Sequence, residues 1–285
     1  MMKKINCEQI SMEVAKLCIE ANCLLGVDMQ KAFNVAIEKE RTDLGVEVLK
    51  DLKENFEIAK ERMMPICQDT GTAVVFIELG QQVEIVGGSF EESIQVGVRK
   101  GYQSGYLRKS IVQSPFLRKN TGDNTPAIIH TKIVDGDTLK ITVMPKGGGS
   151  ENVSRLGMLN PAQGREGVAF FVLETLKLAG PNACPPYVVG VAVGGNFEAV
   201  AVASKEVLTR DLADKGNSDE AIALEQELLI KINELGIGAQ GFGGDNTAFS
   251  VKVNIMPCHI ASLPVAVNIS CHVNRHKSIV IQGVS

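Results

Sequence analysis

The sequence has no tryptophan, three tyrosines and ten phenylalanines, so aromatics supply only 5% of its 285 residues. That scarcity disfavours an aromatic-lined groove for sugars or for single-stranded nucleic acid, where bases stack on aromatic faces. No long basic run occurs. With 29 Lys and Arg against 33 Asp and Glu the net charge is -4, which excludes an extended nucleic-acid surface. No apolar run reaches the ~18 residues expected of a membrane span. The opening "MMKKINCEQISMEV" carries two lysines with no apolar stretch behind them and does not read as a signal peptide. Seven cysteines are present, an odd number without a short-spaced pair, so neither a disulfide framework nor a structural zinc site is indicated. Free thiols in a reducing, cytoplasmic compartment are expected.

What is present is enough apolar material, 45% hydrophobic residues, to bury a sizeable core. Residues 1–62 read as mainly helical. Ile10, Val14, Leu17, Cys18 and Ala21 fall on one helical face, a second helix from Asp28 buries Met29, Phe33, Ala36 and Ile37, and a third carries Val48, Leu49, Leu52, Phe56 and Ala59. Cys7, Cys18, Cys23 and Cys258 read as packing or surface thiols, Cys258 as packing. From residue 63 onward strands mix with helices. Strands are expected at 72–79, 83–86, 187–193, 249–256 and 264–271, and helices at 90–103, 167–178 and 219–235, the last capped by Asn217. Asp135-Gly136 between apolar runs at 127–134 and 138–145 is a hairpin signal. The fold class is α/β (mixed α+β): an N-terminal helical layer followed by a sheet with helices, as a single domain over 1–285.

Several stretches concentrate reactive side chains. "PICQDTGT" sets Cys67, Gln68 and Asp69 side by side before a buried strand; a turn needs the Gly and the Asp, but neither the thiol nor the amide. "MPKGGGSEN" places three glycines after a strand, where backbone N–H groups can approach an anion. Its lysine precedes the glycines, so it is not a P-loop. Gly236-Ile-Gly-Ala-Gln-Gly241 matches G-x-G-x-x-G, but a helix precedes it and a strand follows, the reverse of a dinucleotide site. It reads as a mobile or close-packed loop. Cys67, Cys184 and Cys271 all lie in turn-like settings beside apolar strands. Spacing leaves two readings open: three ligands of an iron–sulfur cluster with one open iron, or three unpaired buried thiols. Arg108 in "YLRKSIV" can clamp a carboxylate. Arg118, Asp123, Asn124, His259, His272, Arg275 and His276 are further polar candidates.

Taken together, "PICQDTGT", "LRKSIV", "NTGDNTPAIIHTKIV", "MPKGGGSEN", "CPPYVVGVAVGG", "GIGAQGFGG" and "HIASLPVAVNISCH" resemble, in order and over nearly the whole chain, the α subunit of class I iron–sulfur fumarate hydratases and L-tartrate dehydratases. The resemblance implies a [4Fe-4S] cluster held by Cys67, Cys184 and Cys271, with the open iron taking the substrate hydroxyl. It implies that Asp69, oriented by His259, transfers a proton at that hydroxyl, and that Gln68, Arg108 and the backbone at Gly148 and Gly149 face a small dicarboxylate. Fourteen residues follow Cys271. Single-chain members of the family carry a further domain there, so the resemblance implies a separate β subunit, in an α2β2 assembly or around a homodimer of α, with no nucleic acid and no membrane. Fumarate/malate is the leading substrate and tartrate its rival. A non-catalytic scaffold subunit is the alternative of another class, opposed by the intact set of Cys67, Cys184, Cys271, Asp69 and Arg108. A zinc hydrolase lacks the His-rich ligand spacing.

Overall fold

The structure, a computed structural model, describes residues 2–284. In chain order the elements are β1 (Lys3–Asn6), α1 (Cys7–Cys23), α2 (Val27–Lys39), α3 (Asp43–Arg62), β2 (Thr72–Gly80), β3 (Val83–Val86), α4 (Phe90–Ser104), β4 (Ile128–Val134) and β5 (Thr138–Lys146). There follow α5 (Gly148–Asn152), β6 (Arg155–Leu159), α6 (Gly164–Ala179), β7 (Tyr187–Gly195), α7 (Phe197–Glu206), α8 (Asp219–Asn233), β8 (Ala248–Cys258), β9 (Leu263–Ser270) and β10 (Lys277–Gln282). The chain divides into two compact units. The first comprises Met1–Leu25, Phe56–Gly148 and Arg275–Ser285; the second comprises Gly26–Asn55 and Gly149–Asn274.

In the first unit a four-stranded sheet runs in the order β10-β5-β2-β4, with β2 parallel to β4 and antiparallel to β5. The Asn6 side chain accepts the Glu8 N–H and caps α1, which lays Ile10, Val14, Leu17 and Cys18 into the core with Val75, Ile77, Ile141 and Val143. Each large apolar side chain buried in this way contributes about 1.5–3 kcal/mol. Helix α4, capped by Ser89, packs closely on α1: a Cβ added at Gly97 would lie 2.6 Å from that of Val14. Strands β1 and β3 form a separate parallel pair.

The hairpin expected around Asp135-Gly136 does not form. The two runs are strands, but β2 lies between them, so they straddle it and do not pair with each other. The physical reason is β2 itself. Its residues Ala73 to Ile77 are all buried, so both faces and both edges of that strand need partners. The turn at Gly136 lies beyond the end of β2, where the Gly136 carbonyl accepts the Gln82 N–H.

The second unit holds a sheet in the order β6-β9-β7-β8, with β7 parallel to β8 and antiparallel to β9. Alternation along the strands sorts its two faces. Val189, Val191, Val265 and Val267 pack with α6 and α8 on one side, while Ala192 and Ala266 pack with Val200 and Ala203 of α7 on the other. A strand covered on both sides reads as an unbroken apolar run, which is why β7 was legible. Helix α8 is capped by Ser218, not by Asn217 as expected; Asn217 instead exchanges two hydrogen bonds with the backbone of Ile255. Among the described residues no helix is long and apolar enough to cross a membrane.

Candidate functional site

The Cys67 turn belongs to the first unit. Ile66, buried, donates its N–H to the Asn22 carbonyl and anchors the turn to the end of α1. Cys67 follows, half-buried, and its Sγ receives the Asp69 N–H at 3.4 Å. The thiol also lies 3.4 Å from Oε1 of the exposed Gln68. Asp69 is fixed at both oxygens: Oδ1 accepts the Gly71 N–H at 3.0 Å and Oδ2 the Gly148 N–H at 2.8 Å. The glycine run after "MPK" therefore does approach an anion, through the Gly148 N–H, and that anion is the chain's own Asp69. Gly71 has φ +71°, and a Cβ there would lie 2.7 Å from the Lys146 backbone, so only glycine fits between the turn and β5.

The same turn is pinned from beneath. The buried Tyr102 hydroxyl donates to the carbonyls of Thr70 (2.6 Å) and Gly71 (3.1 Å). Burial pushes the phenol far above its ordinary range, so it stays a donor. Asn124, fully buried, donates to the Gly71 carbonyl and accepts the Ser110 N–H at 2.7 Å. The Arg275 guanidinium donates to the main-chain carbonyl of Asp69. Thr70 Oγ1 donates to the Arg108 carbonyl at 2.8 Å, which sets Arg108 beside the turn while its side chain stays exposed.

In the second unit the structure brings Cys184 and Cys271 together. Cys184 is exposed and sits at φ +54°, a left-handed conformation that costs a non-glycine residue roughly 1–2 kcal/mol. Its carbonyl accepts the N–H of His272, the residue after the half-buried Cys271. Gln240 donates to the Pro185 carbonyl through both its backbone N–H (2.8 Å) and its side-chain Nε2 (2.9 Å), and Nε2 also lies 3.1 Å from His272 Nδ1. The loop 236–244 is thus a brace for the Cys184 turn. It is close-packed, since a Cβ at Gly238 would lie 1.8 Å from the Gly243 carbonyl oxygen, and α8 precedes it while β8 follows. Near Gly149 a Cβ would lie 3.5 Å from the Asn182 carbonyl oxygen. His259 lies exposed in the turn after β8. Its Nδ1 accepts the Ala261 N–H, so the neutral ring carries its proton on Nε2.

The cysteines fall into two environments. Cys7, Cys18 and Cys23 are buried, and burial pushes the Cys18 thiol up to about 12. Cys67, Cys184 and Cys271 lie outside the core at strand-end turns. Cys258, expected to be a packing thiol, is exposed, because the last residues of β8 run past the covered part of the sheet. Among the described residues no group of three His, Cys, Asp or Glu stands at metal-holding distance within either unit. The donor type nevertheless fits an iron–sulfur cluster: soft thiols, one of them already accepting a main-chain N–H as cluster thiolates do. Tyr102 escaped the sequence reading. It continues the Ile94, Val98 stripe of α4 at four-residue spacing, which reads as core, and nothing local marks its hydroxyl as a clamp.

The chain belongs to the fumarate hydratase (fumerase) family, whose family model matches residues 11–280. Its relatives are named as fumarate hydratases and tartrate dehydratases. "Putative L(+)-tartrate dehydratase subunit alpha" of Methanocaldococcus jannaschii is 41% identical over 276 residues, covering 94% of this chain and 95% of the relative. "Fumarate hydratase class I, anaerobic" of Escherichia coli K12 is 37% identical over 237 residues, 78% of this chain, and the match spans only 42% of that longer protein. "L(+)-tartrate dehydratase subunit alpha" of Escherichia coli O157:H7 is 29% identical over 249 residues, 86% of this chain and 82% of the relative.

Proposed function

We propose that this chain is the cluster-bearing part of a hydro-lyase that interconverts fumarate and malate, with Cys67, Cys184 and Cys271 as the ligands of a [4Fe-4S] cluster. The observation that supports it most is the Cys67 turn: a half-buried thiol accepting a main-chain N–H, two residues before a carboxylate held at both oxygens. When bound, such a cluster supplies a Lewis-acidic iron that makes hydroxide a better leaving group. The chain's own residues do the rest. Asp69 cannot swing, so it is suited to hold or deliver a proton at the substrate hydroxyl, with His259 as its partner in that transfer. Arg108, whose guanidinium makes no hydrogen bond among the described residues, pairs with a substrate carboxylate. Gln68 and the Gly149 N–H are assigned to the same substrate, since the Gly148 N–H already serves Asp69.

A separate β subunit is part of the proposal. Two relatives matched over most of their own length are named as a subunit alpha, and the match to the Escherichia coli K12 class I enzyme spans 42% of that protein. Tartrate dehydration is a second reading, favoured by the end-to-end match with the Methanocaldococcus jannaschii relative. The proposal is tested by iron and sulfide analysis of anaerobically prepared protein. Cys67→Ser, Cys184→Ser and Cys271→Ser should each abolish the cluster, while Cys258→Ser leaves iron and sulfide unchanged. Normal iron and sulfide in Cys184→Ser would overturn the ligand set.

A further inference from the structure

Arg275 lies four residues beyond Cys271 in sequence, belongs to the first unit, and is only 4% exposed. One arm of its guanidinium, Nη2, donates to the Asp69 carbonyl. The Nε and Nη1 groups are buried and meet no acceptor among the described residues. Its neighbours are Cys23, whose thiol is pushed up by burial and drawn down by the Arg275 charge, and the Tyr102 hydroxyl that clamps the same turn. Neither is an anion, and the carboxylate of Asp69 itself gives its oxygens to the Gly71 and Gly148 N–H groups and forms no ion pair with Arg275 among the described residues. A buried charge without a counter-charge costs stability, and removing it in favour of an apolar residue of similar bulk is often neutral or stabilising. Fastening one carbonyl does not require a charge, because a neutral donor does it, as Tyr102 shows one residue along. The positive charge therefore answers to something besides the fold.

We propose that Arg275 is a positioning residue with two effects on the 67–71 turn. It fastens the turn through the Asp69 carbonyl, and it supplies the buried counter-charge for the anionic assembly formed when Cys67 helps to hold a cluster. The second effect rests on the hydro-lyase reading, since three thiolates outweigh the charge of an oxidised cluster core.

The test compares Arg275→Met and Arg275→Lys in the full-length chain. Without cluster, Arg275→Met should keep or raise the melting temperature, because an unpaired buried charge is gone, while amide exchange at 67–71 becomes faster. After anaerobic loading, Arg275→Met should lose iron to a chelator faster by about 10–100-fold, the range typical of residues that support metal ligands. Arg275→Lys should recover most of that retention through its charge, yet keep the faster exchange because the guanidinium bond is lost. A large fall in melting temperature for Arg275→Met, with iron loss tracking unfolding, would show a purely structural arginine. Wild-type iron retention in Arg275→Met would equally overturn the proposal. Failure of the wild-type chain to take up any cluster would refute the proposed function and the counter-charge with it. The melting and exchange measurements would then decide the fastening role alone.

Discussion

Asp69 meets two demands at once. Its oxygens accept the N–H groups of Gly71 and Gly148, the pattern of a carboxylate that builds a turn. The same two bonds fix its direction, as proton transfer requires, because a group that wanders loses its alignment with the substrate. Substitution separates the roles. Asp69→Asn keeps the size of the side chain and removes the group that carries the proton. In the enzyme reconstituted with its partner it should lower kcat by about 10²–10⁴-fold with little change in KM, the usual loss for a general acid–base group. Steady-state kinetics with kcat within about twofold of wild type, well short of that range, would reduce Asp69 to a turn former. At this scale the sequence was informative where chemistry is contiguous. Cys67, Gln68 and Asp69 are neighbours in the chain, and the structure keeps them together. Tyr102 and Arg275 act on that turn from 32 and 206 residues away, through main-chain carbonyls, and no local pattern announces such a bond.

The loop between α4 and β4 carries Arg108 and is braced by a second element-level device. Asp123 accepts from Arg99 of α4 at 2.8 Å and from the Thr125 N–H and hydroxyl. Burial works to raise its carboxyl, but those partners outweigh it and hold the carboxyl at about 2. A carboxylate lowered on folding stabilises the fold fully above its unfolded value of about 3.9, and that contribution is lost as pH falls from there toward the folded value. The pair is well exposed to solvent, so the gain is small, about 0.2–1 kcal/mol. Urea unfolding of wild type and Asp123→Asn should show a stability gap that is constant from pH 7 to 5 and narrows below about pH 4. A gap that does not change with pH would show that the ion pair contributes nothing. The position of β4 beside this loop also shows what patterning omits. Asp135-Gly136 correctly marked a turn between two strands, but alternation and turn chemistry are local, and the choice to place β2 between them is made by the burial of β2. In the second unit the strands buried on both faces announce themselves as apolar runs.

For the whole molecule, length and composition showed that a large α/β core was affordable, and the helices of residues 1–62 were readable from their periodicity. How the chain threads was not. It leaves the first unit after Leu25, returns at Phe56, leaves again after Gly148 and comes back at Arg275, so each unit is assembled from distant segments. No composition shift or linker marks those crossings, since each unit has the same kind of apolar core. The candidate site residues divide the same way: Cys67, Gln68, Asp69, Arg108 and Gly148 belong to the first unit, and Gly149, Cys184, His259 and Cys271 to the second. The central claim is the proposal that this chain is the cluster-bearing part of a hydro-lyase that acts with a second chain. Its most direct test is turnover of malate and of tartrate by the anaerobically loaded chain, measured alone and after addition of a β-type partner. The account predicts no turnover by the chain alone and dehydration of at least one of the two acids by the pair. Full activity of the chain without a partner, or an inert pair whose cluster is intact, would contradict it.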